Sequence, residues 1–422
     1  MTIIKSGVLI ILSLYTIVFC EKFRFDNYSL YRIAVNNDVE RGIVEELRNG
    51  ELELDFWNDP GRNIDYALVM SKPSDKAKLE SFLQKHNIDF QITIKNIQEH
   101  IENENVGKYS RSDHRNMTWN RYYDLESIDE WLEDIVKAHS DVASIIVGGM
   151  SYERRPIKGI KISYGSGRKV VFVEGGIHSR EWISVATVNY IINELLTSDD
   201  ALIQQAARDV DWYIFPVTNP DGYAWSHENF RMWRKNRRPI VRTGMAPTTG
   251  VDLNRNWNHA FLVHGASING NSDVFAGLGP FSEPETRSLS AYIRSVSGRM
   301  DMYLSFHSFG HMLLLPFGNS TEPLSNYHDA VAIGRRAMGA LSIRYNTRYQ
   351  TGNIAETIYL ATGGSIDWVK DHLNIPLVYC YELRDNGTYG FLLPEEQILP
   401  NNLEAMDSVV ELIHQAKRFG YF

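Results

Sequence analysis

The stretch Gly175-Gly176-Ile177-His178-Ser179-Arg180-Glu181-Trp182 sets an imidazole and a carboxylate three residues apart, directly after the apolar run Val170–Val173. Of thirteen histidines only His178 has a glutamate at that spacing, and no His-Glu-x-x-His occurs. Side chains at i and i+3 leave one turn on the same side and can reach a single ion. Zinc takes nitrogen and oxygen donors together; a hydrogen-bonded surface pair is the competing reading. Three other segments concentrate polar groups beside apolar runs. His307 ends a strand-like segment as Phe306-His307-Ser308, a position for a further ligand or for a structural histidine. Asp252-Leu253-Asn254-Arg255-Asn256-Trp257 is too densely polar for a plain turn. Tyr379-Cys380-Tyr381-Glu382-Leu383-Arg384-Asp385 places Glu382 just past a buried run, where it could be a general base, an ion-pair partner or a surface group. The basic run Arg231–Arg238 reads by default as a solvated face.

The elements that must position these groups follow from periodicity. Residues 29–97 show a compact order. Leu30–Val35 alternates, Asp38–Arg48 is helical, Leu54 and Phe56 alternate with acids, and Ile64–Met70 alternates again. Pro73 opens a second helix closed by Asn87, and Phe90–Ile94 is a fourth strand. That βαββαβ order predicts a small ferredoxin-like α+β sandwich on a four-stranded antiparallel sheet. From about residue 116 strands and helices alternate to the end. The expected strands lie at Ile145–Val147, Ile157–Ser163, Val170–Val173, Asp211–Val217, Met302–Phe306 and Leu377–Tyr381, with helices at Trp182–Leu196 and Glu283–Ser295. This predicts an α/β architecture with a mixed, mostly buried central sheet flanked by helices, and such sheets carry chemistry in the loops at strand ends.

The expected organisation is a signal peptide over 1–20, an N-terminal domain over 21–100, a basic linker over 101–115 and a main domain over 116–422. Lys5 precedes the apolar stretch Val8–Phe19, which is shorter than the roughly 20 residues of a membrane span. Export and an extracellular location are therefore expected, without a membrane anchor. Four sequons, at Asn27, Asn116, Asn319 and Asn386, are candidate glycan sites in such a protein. The formal net charge of −9 argues against nucleic-acid binding. Only Cys20 and Cys380 are present, and the first leaves with the leader, so no internal disulfide is expected. Cys380 reads as a small buried side chain.

Taken together, the segments resemble the zinc carboxypeptidases of the pancreatic A/B type. The resemblance rests on Gly-Ile-His-Ser-Arg-Glu-Trp at 176–182, Thr-Asn-Pro-Asp-Gly-Tyr at 218–223, Met-Trp-Arg-Lys at 232–235 and Val-Asp-Leu-Asn-Arg-Asn-Trp at 251–257. It continues with Gly-Gly-Ser-Ile-Asp-Trp at 363–368, Glu-Leu-Arg-Asp at 382–385 and Tyr-Gly-Phe-Leu-Leu-Pro at 389–394. These run in family order from about Trp119 to the C-terminus, and Leu-Asp-Phe-Trp at 54–57 is similar to the family's activation domain. The resemblance implies one zinc ion held by His178, Glu181 and His307, the ligand count being the family's. It implies Glu382 as general base, Arg234 as oxyanion donor, and Asn254 with Arg255 as the grip on a free α-carboxylate. Tyr359 is implied as the tyrosine that closes over the terminal residue, and Arg180 as a secondary substrate contact. Phe309 stands where the digestive enzymes usually carry tyrosine, and the vertebrate disulfide is missing.

In the family, the residue before Asp-Trp in Gly-Gly-Ser-x-Asp-Trp lies at the pocket floor. Here it is Ile366, and Gly318, Ile354 and Cys380 align with further wall positions. A buried cation would lack a partner there, so aromatic and large aliphatic terminal residues are the expected substrates. Also implied is a zymogen inhibited by its own N-terminal domain. A trypsin-like protease would cut it at Lys108, Arg111 or Arg115, with the last two favoured because family likeness begins near Trp119. Two alternatives stand beside this reading: a regulatory carboxypeptidase trimming basic residues, and an inert peptide-binding relative.

Overall fold

The computed structural model describes residues 22–61, 64–108, 117–241 and 245–422. The leader, Arg111, Arg115 and Asn116 lie outside them.

Near the N-terminus, Ser29–Ala34, Leu54–Phe56, Tyr66–Ser71 and Phe90–Ile94 form an antiparallel sheet with Ser29–Ala34 between Tyr66–Ser71 and Phe90–Ile94. Helices Asp38–Arg48 and Lys76–Lys85 cover one face, packing Val44, Leu47, Leu79 and Leu83 on Tyr31, Ile33, Ala67 and Val69. Asn37 starts the first helix by accepting from the Glu40 N–H. Alternate residues of the same strands, Leu30, Leu68, Met70 and Ile94, face the other way and meet Met232, Phe309, Phe391 and Leu392 of the main domain. A period of two thus divides these strands between the domain's own core and a docking face. Beyond the sheet, helix Ile97–Glu102 runs across the expected boundary at residue 100, and Val106–Gly107 pairs in parallel with Tyr122–Tyr123.

The main domain is built on eight strands. From one edge they run Gln350–Asn353, Met312–Leu315, Leu377–Leu383, Met300–Ser308, Val170–Gly175, Asp211–Phe215, Pro156–Ile162 and Ala143–Met150. The four from Leu377–Leu383 to Asp211–Phe215 are mutually parallel, and antiparallel pairings flank them. This is the mixed sheet the sequence predicts. Val171, Val173, Leu304, Phe306, Tyr379 and Tyr381 pack under helices Trp182–Thr197, Tyr327–Tyr345 and Ile398–Arg418. Their neighbours Val170, Phe172, Tyr303, Val378 and Cys380 pack under Pro284–Val296 and Ser365–Leu373. Burial on both faces explains why these strands read as continuous apolar runs.

Leaving Val170–Gly175, the chain passes through the Trp182–Thr197 helix to Asp211–Phe215 on one side, while Met300–Ser308 lies on the other. The crevice between them, at the carboxyl ends of the strands, is the place where open α/β sheets hold ligands.

Candidate active site

Gly176 makes the turn out of Val170–Gly175 with φ +65°. A Cβ there would sit 2.8 Å from Val185 Cγ2 and 3.0 Å from the Pro216 carbonyl oxygen, so a side chain is excluded on two counts. In the turn that follows, the Glu181 N–H donates to the His178 carbonyl at 3.2 Å, and Glu181 begins the Trp182–Thr197 helix. Both side chains point at His307, the penultimate residue of Met300–Ser308. His178 Nδ1 lies 2.8 Å from Glu181 Oε1, His307 Nδ1 lies 3.1 Å from Glu181 Oε2, and the two Nδ1 atoms are 3.1 Å apart. All three residues are buried.

This donor set fits zinc. Bonds of roughly 2.0–2.1 Å put tetrahedral ligand atoms about 3.3 Å apart, close to the separations found, and three donors leave one position open. Burial would raise the Glu181 carboxyl, yet His178 and His307 hold it far below the usual carboxylate range. It is therefore an anion, as a metal ligand must be. Asp252 supplies what the sequence reading did not assign. It accepts from His178 Nε2 at 3.2 Å and from Arg234 Nε and Nη2 at 3.1 and 2.9 Å. The bond to Nε2 fixes the tautomer that turns Nδ1 toward the ion.

Strand register places the next group. His307 pairs with Glu382 across parallel neighbours, and Glu382 shares the face of Cys380. Burial, reinforced by the charge of Glu181 and opposed by His307 and Arg234, pushes the Glu382 carboxyl up to about 8. A bound dication opposes that shift as well. Around these residues opens a cleft lined also by Arg234, Asn254, Arg255, Tyr359 and Ile366. Asn254 is anchored through Oδ1, which accepts from the Ser365 N–H at 3.0 Å. Arg255 donates from Nε to the Gly265 carbonyl and from Nη1 to the Asn254 carbonyl, and its Nη2 lies 3.4 Å from the Tyr359 hydroxyl. Ile354, Leu314 and Cys380 join Ile366 in the lining. Gly318 stands behind them, its N–H donating to Asp367 Oδ2 at 2.9 Å.

The N-terminal domain reaches into the same cleft with Trp57, Asn58, Asp59 and Ile64. Asp55 accepts from Arg180 Nη1 through both carboxylate oxygens at 3.1 Å, while Phe391 lies under the guanidinium at 4.3 Å. Arg180 Nη1 is thus engaged by the covering domain, with Asp273 Oδ2 of the main domain beside it at 3.4 Å. A second tie is buried: Glu104 grips Arg231 through two bonds of 2.6 Å. Asp55 lies in the Leu-Asp-Phe-Trp motif that the sequence marks, but neither its partner nor Glu104 was legible there, since nothing local marks a carboxylate whose partner lies more than a hundred residues away.

Sheet, crevice and donor set define a metalloenzyme of the α/β kind. A family model described as zinc carboxypeptidase matches residues 128–408, and one described as carboxypeptidase activation peptide matches residues 31–104. The chain is 36% identical over 405 residues to zinc carboxypeptidase A 1 of Anopheles gambiae, covering 95% of this chain and 92% of that protein. It is 46% identical over 303 residues to the zinc carboxypeptidase of Simulium vittatum, covering 72% and 99%. Among solved structures, carboxypeptidase A from Helicoverpa armigera matches with a TM-score of 0.83 at 28% identity, over 94% of this chain and 99% of that one. The chain belongs to the zinc carboxypeptidase family: it is a metallocarboxypeptidase with zinc as cofactor, built as a zymogen with an activation domain that serves as its intramolecular inhibitor. No helix among the described residues is long and apolar enough to cross a membrane.

Proposed function

We propose that this chain is secreted as a zymogen and, once cut after Lys108, Arg111 or Arg115 by a trypsin-like protease, removes single residues from the C-termini of peptides and proteins. Aromatic and large aliphatic residues are preferred, in a digestive setting. The domain limits proposed are those of the sequence reading, with the catalytic unit over 116–422. The observation that carries this reading is a single cleft holding three metal donors, a carboxylate in register with one of them, two arginines and an apolar wall.

His178, Glu181 and His307 would hold the zinc, which when bound would supply Lewis acidity and lower the pKa of a water. Glu382 accepts the proton of the attacking water on its carboxylate and later passes a proton to the leaving nitrogen. Arg234, braced by Asp252, donates to the substrate oxygen as charge grows on it. Arg255 keeps N–H groups on Nη1 and Nη2 for a terminal carboxylate, which accepts two parallel bonds from a planar guanidinium. Asn254 adds a donor, and Tyr359, beside Nη2, closes over the terminal residue. Arg180 contacts substrate further out once Asp55 has left.

A second reading, trimming of basic residues, has one observation in its favour. Asp367 also lines the cleft, and its Oδ1 has no hydrogen-bond partner among the described residues. Against it, Gly318 holds the other oxygen, and the lining beside it is apolar, with Leu314, Ile354, Ile366 and Cys380. Trypsin treatment followed by peptides ending in Phe, Leu or Lys, with and without chelator, tests both readings. The expected outcome is a new N-terminus between Tyr109 and Asn116, chelator-sensitive release of Phe and Leu, and slow release of Lys. Preferential release of Lys would overturn the specificity, and full activity without a cut would overturn the activation scheme.

A further inference from the structure

We propose that His259, Asp371 and His372 form a second divalent-cation site, of the zinc class, on the outer surface of the main domain. Asp371 and His372 stand at the C-terminal end of the Ser365–Leu373 helix, and His259 comes from the loop after Trp257. One carboxylate oxygen, Asp371 Oδ2, lies 3.2 Å from His259 Nδ1 and 3.3 Å from His372 Nδ1. Those two separations match edges of a tetrahedron with bonds of roughly 2.0–2.1 Å, and the three ligand atoms all lie within 4.8 Å of one another.

Both nitrogens of the His259 ring face acceptors. Nδ1 meets the Asp371 carboxylate, and Nε2 lies 3.2 Å from Asn319 Oδ1. A neutral imidazole carries one proton, so with Nε2–H given to Asn319 its Nδ1 lone pair points at an anion. A cation between them, metal or proton, resolves that contact. Ring planes are fixed as for metal ligands: His259 stacks on Phe317 at 5.3 Å and 12°, and His372 on Trp368 at 5.8 Å and 22°. Side-chain exposures of 12% for His259, 33% for His372 and 52% for Asp371 leave room for waters to complete the coordination. Imidazole with carboxylate suits zinc, copper and nickel over calcium or magnesium.

Such an ion would tie the helix that carries Ile366 to the loop after Trp257 and the turn at Asn319, three segments around the substrate pocket. Its function would be to brace that wall.

The test is metal content of the full-length zymogen after equilibrium dialysis against micromolar free zinc. Two equivalents are expected for the native chain and one for His372→Ala or Asp371→Asn, both on an exposed helix end. His178→Ala should lose the other equivalent and keep this one. Zinc should also raise the thermal midpoint of the native zymogen more than that of His372→Ala. One equivalent in the native chain, or two in both helix variants, would overturn the site. Because the readout is bound zinc, the result stands or falls apart from the peptidase specificity.

Discussion

Arg234 and Glu382 share a cleft but are held by different means. Arg234 is pinned by two bonds to Asp252, and that buried anion, with Glu181 nearby, raises its pKa despite burial. Glu382 is positioned by strand register, so replacing it should leave the scaffold intact. Glu382→Gln keeps the shape and removes the base; kcat should fall on the order of 10²–10⁴-fold with zinc content unchanged. A variant that kept its rate would remove Glu382 from the chemistry. Ile366→Asp puts an anion at the pocket floor and should move the ratio of Lys to Phe release upward by at least roughly tenfold, measured as kcat/KM. An unchanged ratio would show that the side chain of the departing residue goes elsewhere. The His178–Glu181 pair was legible in the sequence because one turn holds both. Asp252 sat inside a polar run that the sequence marks, but its role was not legible. Its partners stand 18 and 74 residues away, and only the fold brings them within bonding distance.

Elements with one buried face were legible almost to the residue, as helix Asp38–Arg48 and strand Phe90–Ile94 show. Helices Tyr327–Tyr345 and Ile398–Arg418 were not. Their buried faces include Ala330, Gly334 and Ala337 on one and Asn401, Asn402, Glu404 and Ser408 on the other, residues that a hydropathy period does not register. Glu404 is buried because Arg384 meets it at 2.6 and 2.7 Å. The expected domain boundary at residue 100 cuts Ile97–Glu102 for a related reason: this short helix docks through Ile97, a long-range contact. Just beyond it, Glu104 and Arg231 are both nearly inaccessible, at 2% and 0%. Glu104→Ala strands the guanidinium, a loss of about 3–5 kcal/mol for a buried pair. The uncut zymogen should then show raised hydrolysis of small substrates and faster amide exchange over 31–104. Unaltered exchange would mean that the apolar contacts around Trp57 hold the domain alone.

Across the whole molecule, stability should carry the signature of one buried acid. Glu285, at the start of Pro284–Val296, accepts from the Tyr152 N–H and from Asn236, with Glu283 as a like-charged neighbour. Burial raises its carboxyl from 4.5 to about 7. The folded state therefore binds the proton more tightly than the unfolded one. Its favourable contribution is complete below about pH 4.5 and is lost as pH climbs to 7, a change of about 3 kcal/mol. Urea unfolding of the native chain and Glu285→Gln across that window should give a difference that shrinks at the acid end. A constant difference would refute the assignment. The covering domain also sets when activity appears. While it is one chain with the enzyme, Asp55 and Trp57 meet their targets at the high local concentration a short connection enforces. Severing the backbone breaks none of those contacts; it only makes re-encounter depend on how much protein is present. Appearance of peptidase activity should thus lag behind the cut in concentrated samples and catch up on dilution, so that onset is governed by the concentration of the fragment relative to its dissociation constant and not by the speed of the protease.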